Sequence, residues 1–422
     1  MAEPSPSMIS LEEAQALVRS HVSPLETEIV PLLDAAGRVA AADLMSDMDV
    51  SPFAHAAMDG FALHVADIAQ ASPESPVDLD VIAEVPAGGA FEGTIEPGQC
   101  VRIMTGAALP SDADAVVKYE IVDYLGSSGM PGSRVRFTAP AKPRANIREA
   151  GEEAKQGEVV VRAGEVIKSA GVGFLAGCGV TEVPTYRAPR VAIISIGSEL
   201  VPPTERPGIG HIRNSNGYAL AACAREAGAV PTMLPIVPDD LDELTRMVKD
   251  ACSKFDFVVT SGGASNGDFD FIKPVVETLG ELYMTTVNMR PGKAQTFGVV
   301  DGTPVFGLPG NPAAAYMGFE LIIRPALLAM QGYTQLERPH IQARLTADKK
   351  KKDPRRLLMR ATITRGESGD LEVTPAANQS SGLFGVIQRS NCVAVIPEGV
   401  TQVHAGDEIE CILLDVDEGV VL

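Results

Sequence analysis

The spacing of apolar and polar residues changes along the chain and predicts several regions. Near the start, Ser10 followed three residues later by Glu13 is a capping-box pattern, and the apolar residues after it recur at helical spacing. Between positions 50 and 140, short β-rich runs are separated by Pro and Gly clusters. The pattern predicts a helix beginning at Ser10 and then an inserted β-rich domain at 50–140.

A second helical region follows the β-rich domain. Residues 141–184 start with polar residues, continue as a strand, and reach a small-residue helix from about Ser169 to Leu175. We expect this helix to pack on the N-terminal helix, which makes the first domain discontinuous. The scaffold domain is therefore predicted to comprise 7–49 plus 141–184.

The second half of the chain has a different pattern. From Pro189 onward apolar strands alternate with helices, which predicts a doubly wound parallel sheet in a central three-layer α/β domain at 185–334. One helix is expected to start at a cap formed by Asp240 and Glu243. Its predicted apolar stripe is Leu241, Leu244, Met247, Val248 and Ala251. Beyond Pro339, β-rich runs predict an all-β, barrel-like C-terminal domain at 338–422, so the fold class is multidomain α/β and β.

Composition narrows the ligand classes and the location. The formal net charge is −20, from 55 acidic and 35 basic residues, which argues against broad binding to nucleic acid or to anionic membranes. An anionic substrate therefore needs local positive groups. The six cysteines contain no CxxC pair, and we find neither a signal peptide nor an apolar run near the roughly 18 residues of a membrane span. We expect reduced, mostly buried thiols in a cytoplasmic protein.

Three loops are predicted where ligands bind in open parallel sheets, at the carboxyl ends of strands. Their sequences are SIGSEL, SGGASNGDFDFIK and GLPGNP. Gly262 and Gly263 would let backbone amides approach an anion. A basic turn carrying Arg290 and Lys293 supports this interpretation, because an acidic protein that binds an anion needs such a turn.

The second loop also contains acidic residues. Asp268 and Asp270 provide two carboxylates that suit Mg²⁺, and Lys273 adds a cation. An alternative for Asp268 is an N-cap of a helix that starts near Phe271. The residues alone therefore predict a pocket for an anion and a metal ion.

The chain resembles the molybdopterin molybdenumtransferase (gephyrin E-domain-like) family in several long segments. In the central domain these are SGGASNGDFDFIK, GLPGNPAAAYMGFELIIRP, SNGYALAACAREAGA and VPDD; in the first half they are AAMDGFAL, RIMTGAALPSDADAVV and NIREAGEE. In the last domain NQSSG is similar, together with Arg355, Arg356 and Arg360. The resemblance runs from about Met8 to the C-terminus.

The resemblance implies an elongated four-domain subunit whose central domain binds molybdopterin. It implies a homodimer with the active site between the central domain of one subunit and the β-rich domain of the other, and a contact with molybdopterin adenylyltransferase. The implied reaction inserts molybdenum from molybdate into adenylylated molybdopterin and releases AMP. It requires Mg²⁺ as a cofactor.

Site residues are carried over from the family motifs position by position. The implied substrate-binding residues are Gly262, Gly263, Ser265, Lys273, Arg290, Pro309, Gly310, Asn311, Arg355, Arg360 and Ser381. The implied metal ligands are Asp239, Asp268, Asp270 and Glu153, and the implied catalytic residues are Asp59, Thr105, Glu199 and Lys293. Molybdate is a tetrahedral dianion that needs N–H donors and cations, which assigns Arg290, Lys293, Ser265 and the glycine amides to it.

Structural alternatives stay open for several of these residues. Asp59 could be a turn residue before a glycine, and Thr105 a cap at the end of a strand. Glu199 and Glu153 could be solvated acids at helix starts. The lysines of DKKKKDPRR are predicted to form a solvated hairpin rim.

Departures from the usual family motifs leave the exact activity open. The changed positions are Ala54, His55, Ala56, Glu153, Ile196, Ser198, Thr286, Arg290 and Ala294. A carboxylate and a hydroxyl are absent before Met58, and an aspartate is replaced by Ser198. Two alternatives to the insertase are a tungstate-selective or specialised paralogue, and a non-catalytic pterin-binding scaffold.

Overall fold

The computed structural model describes residues 8–126, 129–263, 271–367 and 369–414. Contacts divide the chain into two compact units, Ile29–Thr185 on the one hand and Met1–Glu28 with Tyr186–Leu422 on the other. The larger unit contains the central α/β domain and the C-terminal β domain. All six cysteines are free and buried, as expected from the sequence.

The first helix, α1 (Leu11–Arg19), has the predicted capping box. The Glu13 amide donates to Ser10 Oγ (3.1 Å), and the Ser10 amide donates back to the Glu13 carboxylate (2.7 Å). The buried face of α1 joins the core of the central domain. The helical spacing therefore predicted which face of α1 is buried, although it carried no information on what covers that face.

The unit Ile29–Thr185 is built mainly from short strands. The strands between 27 and 186 are β1 (Thr27–Pro31), β2 (Leu44–Met45), β3 (His55–Ala56), β4 (Gly60–Leu63), β5 (Val77–Val85), β6 (Gln99–Ile103), β7 (Ala115–Lys118), β8 (Val122–Leu125), β9 (Arg134–Phe137), β10 (Ile147–Arg148), β11 (Val159–Val161) and β12 (Glu182–Tyr186). Helix α2 spans Ser169–Gly177, and 3₁₀ turns span Leu32–Ala35, Val65–Ile68 and Tyr119–Ile121. Six strands form one sheet in the order β7-β4-β6-β5-β9-β8, which confirms the β-rich module.

The predicted partner of α2 was wrong. Helix α2 packs against the 3₁₀ turn Leu32–Ala35, and its buried Leu175 shares a small core with Val30, Ala40 and Val183. Helix α1 instead contributes to the larger core of the central domain. An apolar stripe is buried by whichever surface offers enough apolar area, and sequence order does not decide which surface that is.

The central domain has the predicted three layers. Its strands are β13 (Arg190–Ser195), β14 (Leu200–Val201), β15 (Ile212–Arg213), β16 (Val230–Met233), β17 (Phe257–Ser261), β18 (Glu281–Thr286), β19 (Met289–Arg290), β20 (Ala294–Val300) and β21 (Thr303–Leu308). Its helices are α3 (Asn216–Glu226), α4 (Leu241–Cys252), α5 (Ile272–Leu279), α6 (Pro312–Gly318) and α7 (Arg324–Met330), with a π-helical turn Phe319–Ile323 between the last two. Helices α3, α6 and α7 bury one face of the sheet, and α4 and α5 bury the other.

The central sheet is mixed, although an all-parallel sheet was predicted. Its order is β16-β13-β17-β21-β20-β18; the first four strands are parallel, and β20 runs antiparallel to both of its neighbours, β21 and β18. Strands β20 and β21 are joined through Asp301 and Gly302, which both have positive φ (49° and 84°). An Asp-Gly pair with this geometry closes a β-hairpin, so the antiparallel edge follows from a local turn signal.

The cap predicted for α4 is present, but one residue of the predicted stripe was wrong. Asp240 accepts a hydrogen bond from the Glu243 amide at 2.8 Å. Leu244, Val248 and Ala251 are buried, whereas Leu241 is 41% exposed. Leu241 is the first residue of the helix, where no preceding turn helps to cover a side chain.

One helical run in the described part of the chain is long and apolar enough for a membrane span by length and composition. It spans Pro312–Met330 but is not an uninterrupted apolar run, which agrees with the sequence analysis. Glu320 and Arg324 interrupt its sequence. Because 83% of the run is buried inside the protein, it is a core helix of the central domain.

The C-terminal domain is a closed barrel. Its elements are β22 (His340–Leu345), β23 (Lys349–Lys350), β24 (Arg356–Arg365), β25 (Leu371–Pro375), helix α8 (Phe384–Gln388), β26 (Cys392–Ile396), β27 (Gln402–Val403) and β28 (Glu408–Leu413). Strands follow the order β24-β25-β22-β28-β26, and β26 pairs with β24 to close the ring. Strand β19 of the central domain pairs parallel to β24, with Arg290 opposite Leu357. The basic turn of the central domain therefore lies beside the barrel.

Candidate functional site

The carboxyl ends of β13 and β17 open into a cavity of about 310 Å³ that is also lined by Gly310 and Pro312. Gly262 and Gly263 form its tightest turn, with φ of 90° and 64°. A Cβ on Gly262 would lie 2.1 Å from the Ile196 carbonyl oxygen. Both the backbone conformation and the space therefore require glycine at position 262.

The two glycine amides differ in availability. The Gly262 amide donates to the Leu308 carbonyl at 3.1 Å, so it is already engaged within the sheet edge. The Gly263 carbonyl accepts from the amides of Phe271 (2.7 Å) and Ile272 (3.3 Å). Among the described residues nothing accepts from the Gly263 amide, which makes it the better placed donor of the pair.

Two predicted carboxylates, Glu199 and Asp239, line this cavity. The Ser198 amide donates to Asp239 Oδ2 (3.2 Å), and the Asp239 amide donates to Ser198 Oγ (3.0 Å). The departure at Ser198 thus replaces a second carboxylate with a neutral partner that fixes Asp239. Ser265, Asp268 and Asp270 lie outside the described residues, and no cluster of three metal-ligating side chains occurs within the described ranges.

Asn216 is a lining residue that the sequence analysis missed. Its side-chain nitrogen, Nδ2, donates to Ser261 Oγ (2.8 Å) and to the Gly310 carbonyl (2.9 Å). Its Oδ1 atom is buried without a hydrogen-bond partner. A buried acceptor without a donor is costly, so Asn216 is prepared to accept an N–H or O–H from a ligand. The sequence feature that could have revealed it is an asparagine at the first position of helix α3, next to the predicted ligand-binding edge of the sheet.

A second cavity, of about 730 Å³, lies between the basic turn, the start of α6 and the barrel. Asn311 lines it, whereas the adjacent Gly310 lines the first cavity, so the GLPGNP loop borders both. Basic side chains dominate its wall: Arg290, Lys349, Lys350, Lys352, Arg355 and Arg360. This cavity provides the local positive charge that an anionic substrate requires in an acidic protein.

Arg360 is the most unusual of these cations because only 1% of it is exposed. Its Nη2 donates to the Ser380 carbonyl (3.1 Å), while its Nε is buried without a partner. Within the described ranges, no carboxylate lies within ion-pair distance of it. Burial lowers the pKa of Arg360, yet a guanidinium keeps its proton in proteins. A buried, unpaired positive charge is costly and favours an anion in the cavity beside it.

The NQSSG segment holds Arg360 in place. The Gln379 carboxamide accepts from the Arg360 amide (3.1 Å) and donates to the Arg360 carbonyl (2.8 Å). The Ser381 carbonyl accepts from the Ala313 amide (2.8 Å) in the first turn of α6. The segment therefore fixes the guanidinium and also joins the barrel to the helix that starts at the GLPGNP loop.

Arg355 and Arg290 share an acidic partner, Asp353. Arg355 Nε lies 2.9 Å and 3.0 Å from the two carboxylate oxygens, and its Nη2 donates to Asp353 as well. Arg290 Nη1 lies 3.8 Å from Asp353 Oδ2. The hydrogen bonds from Arg355 hold the pKa of Asp353 well below its usual range. Two of the cations in the wall are therefore partly neutralised.

The prediction of a solvated lysine rim was wrong for Lys351, which is 5% exposed. Its Nζ donates to the carbonyls of Arg355 and Pro397, each at 2.6 Å. Burial lowers its pKa. A long aliphatic stem with three N–H donors can satisfy several carbonyls in one turn, which the polar sequence pattern does not reveal.

The remaining predicted site residues lie at different places. Lys293 is exposed and does not line the basic cavity. The turn that carries it is held by Gln295, whose side chain donates to the Gly292 carbonyl (2.9 Å). Pro309 is buried. Lys273 lies on α5, with Nζ 3.9 Å from Glu277 Oε1 on the same helix.

Asp59 and Thr105, which are 46 positions apart in the sequence, meet in the unit Ile29–Thr185. Asp59 Oδ1 accepts from both the amide and the hydroxyl of Thr105, each at 2.7 Å. These two bonds lower the pKa of Asp59. The pair is exposed and carries an ionised carboxylate. Glu153 is also exposed, and its amide donates to the Val50 carbonyl (3.0 Å).

Replacing Thr105 with valine is expected to raise the pKa of Asp59, because the hydroxyl donor is lost while the backbone donor remains. Because the pKa of Asp59 is lower in the folded protein, its ionisation stabilises the fold at pH values above the ordinary aspartate pKa of about 3.9. This stabilisation is lost as the pH falls through the lowered pKa of the folded state. NMR titration of the side-chain carboxyl carbons measures the shift. Asp78, whose pKa is lowered by Arg136, should not move and serves as the control. An unchanged pKa of Asp59 in Thr105→Val would show that the Thr105 hydroxyl does not lower it.

Two of the departures in the first half of the chain, His55 and Ala56, form strand β3. Ala56 is fully buried in β3, and His55 pairs with Arg148 of β10. In the central domain Ile196 is 2% exposed, and its carbonyl borders the Gly262 turn. An apolar side chain therefore occupies position 196 behind the glycine turn.

Family models cover most of the chain. They match the MoeA N-terminal region (domains I and II) at 9–179, the probable molybdopterin binding domain at 192–329, and the MoeA C-terminal region (domain IV) at 342–414.

Individual relatives are similar to this chain over nearly the whole length of both proteins. The molybdopterin molybdenumtransferase of Bacillus subtilis is 36% identical, covering 97% of this chain and 95% of that protein. The enzyme of Staphylococcus epidermidis is 35% identical over 96% of both. A crystal structure of a Pyrococcus horikoshii molybdopterin biosynthesis MoeA protein has a TM-score of 0.82 and 28% identity, covering 97% of this chain and 100% of that one. The chain therefore belongs to the molybdopterin molybdenumtransferase (MoeA) family of molybdenum-cofactor biosynthesis.

Proposed function

We propose that this transferase inserts molybdenum from molybdate into adenylylated molybdopterin and releases AMP. The observation that carries the proposal is the buried, unpaired guanidinium of Arg360 beside a cavity whose wall is otherwise basic. The GLPGNP loop separates that cavity from one with glycine, asparagine and carboxylate groups at the ligand edge of the sheet. A large basic cavity for an oxyanion and a smaller polar cavity that share one loop suit a reaction with two substrates.

The basic cavity suits molybdate. A tetrahedral dianion has four oxygens that each accept N–H or O–H donors, and a planar guanidinium donates in a bidentate manner. Arg360 supplies the buried charge, while Arg290, Lys349, Lys350 and Lys352 supply the more accessible charge. In this proposal Arg360 anchors the oxyanion and the exposed cations draw it into the cavity.

The polar cavity suits the adenylylated pterin. Asn216 Oδ1 would accept an N–H of a heterocycle, and the Gly263 amide would donate to a phosphate oxygen. Glu199 and Asp239 provide hard oxygen ligands, and Mg²⁺ in phosphate sites is commonly held by one or two carboxylates together with substrate phosphates. These carboxylates therefore fit a Mg²⁺ ion, which would neutralise charge on the pyrophosphate link.

The family resemblance also supports a cytoplasmic homodimer that receives its substrate from molybdopterin adenylyltransferase. In this proposal the Asp59–Thr105 pair of one subunit acts at the cavity of its partner, which would give the exposed carboxylate a function. Sedimentation velocity is the simplest check. A species with the 44.3 kDa mass of one chain under assay conditions would contradict the dimer.

The test is an insertion assay with purified protein, adenylylated molybdopterin, molybdate and Mg²⁺. We expect AMP release and formation of active cofactor, both lost in Asp59→Ala and retained in the surface variant Arg365→Met. Preference for tungstate in a competition assay would favour a specialised paralogue. Tight pterin binding without AMP release would identify a non-catalytic scaffold and overturn the proposal.

A further inference from the structure

Asp353 is an acidic residue directly behind a cavity built to hold an anion. Its carboxylate uses the Nε and Nη2 donors of Arg355, and Arg290 Nη1 lies 3.8 Å away. A third donor of Arg355, Nη1, reaches the Met289 carbonyl at 3.3 Å. Of the five N–H bonds of the guanidinium, three are therefore directed toward the protein and away from a ligand.

The contact between Asp353 and Arg355 is fixed by the backbone around it. Asp353 Oδ1 also accepts from the Arg355 amide (3.0 Å), and buried Lys351 donates to the Arg355 carbonyl (2.6 Å). The two side chains are only 20% and 22% exposed. The ion pair is thus a local, anchored feature of the loop, present without any ligand.

The cations in the cavity wall therefore differ in how far a neighbouring carboxylate offsets their charge. Arg360 has no acidic partner within the described ranges and carries its full charge, whereas Arg355 and, in part, Arg290 are offset by Asp353. The carboxyl of Asp353 stays ionised at all ordinary pH values, because its pKa lies well below the usual range. The offset is therefore permanent and does not depend on pH in the physiological range.

We propose that Asp353 is an affinity-setting residue, an internal counter-ion that competes with the bound oxyanion for Arg355 and Arg290. The inference rests on the proposed function, since it concerns the cavity assigned to molybdate. With several lysines and arginines in one wall, the cavity without Asp353 would hold a dianion tightly. The internal carboxylate lowers that affinity, so the oxyanion can leave Arg360 and pass to the second substrate.

The test compares Asp353→Asn with the wild-type protein by calorimetric titration with molybdate alone. Asparagine keeps the size and one acceptor for the Arg355 amide but removes the charge. We expect molybdate to bind about tenfold more tightly, which corresponds to removing one negative charge near a dianion in a partly screened site. In the insertion assay the KM for molybdate should fall by a similar factor, while kcat does not rise.

The matched control is Asp301→Asn. It makes the same change in net charge at the turn between β20 and β21, at the end of the sheet opposite the ligand edge, and asparagine tolerates the positive φ of that position. It should leave molybdate affinity unchanged. Asp353→Ala provides a second variant, and its melting temperature reports whether the loop still folds.

Each outcome decides the question. Weaker or unchanged molybdate binding in both folded Asp353 variants would overturn the inference, because it would show that the carboxylate only positions Arg355. Binding in Asp353→Asn where the wild type shows none would support it. If Arg360→Met still binds molybdate like the wild type, the cavity assignment of the proposed function fails. If neither the wild type nor Asp353→Asn binds molybdate, that assignment and this inference both fail.

Discussion

Replacing Arg360 with methionine is expected to lower molybdate affinity by at least about 100-fold while leaving the protein folded. Charge-assisted hydrogen bonds to a buried guanidinium contribute about 1.5–3 kcal/mol each, and a bidentate contact would use two of them. Methionine has a similar length and can occupy the buried volume of the arginine stem on β24. Replacing a buried charge with a well-packed apolar side chain is often neutral or stabilising, so the melting temperature should stay the same or rise.

A control on the same strand separates this effect from general loss of charge. Arg365 lies at the exposed end of β24, where its Nη1 donates to the Gly369 carbonyl. Arg365→Met removes the same group outside the cavity and should leave molybdate binding and AMP release unchanged. Calorimetric titration and thermal unfolding, with and without molybdate, measure both properties. If the Arg360→Met variant binds molybdate with the affinity of the wild type, the oxyanion site lies elsewhere.

The local elements of the fold were predictable because their causes are local. The Ser10–Glu13 capping box and the Asp240 cap depend on residues three positions apart, and both were found. The hairpin at Asp301 also had a local signal, the Asp-Gly turn, which the alternation of strands and helices obscured. The packing of α1 and α2 depends on surfaces distant in sequence, and periodicity carries no information about those partners.

The candidate site shows the same division. The glycine turn was predictable because only glycine allows that backbone, and family motifs pointed to Arg360 and Ser381. The unsatisfied oxygen of Asn216, the burial of Lys351 and the offset by Asp353 were not predictable. Each depends on where a side chain ends among groups from other segments, and a list of charges in sequence order cannot show which ones neutralise each other.

Gly262→Ala is expected to destabilise the protein by roughly 3 kcal/mol and to abolish pterin binding. An alanine at a φ of 90° is strained, and its Cβ would lie 2.1 Å from the Ile196 carbonyl oxygen, so the turn must move. The Gly262 amide would then lose its bond to the Leu308 carbonyl, and the neighbouring Gly263 amide would leave the cavity edge.

The adjacent wall of the same cavity offers a matched control for that change. A Cβ on Gly310 meets nothing closer than the Gly262 Cα at 3.8 Å, which is ordinary van der Waals contact. Gly310→Ala should therefore unfold at nearly the wild-type denaturant concentration, while Gly262→Ala unfolds at a clearly lower one. Equal stability of the two variants in denaturant titration would contradict the geometry of this turn. Because both variants add one methyl group beside the same cavity, a difference between them reports the strain specific to position 262, which arises from its positive φ and from the contact with the Ile196 carbonyl oxygen.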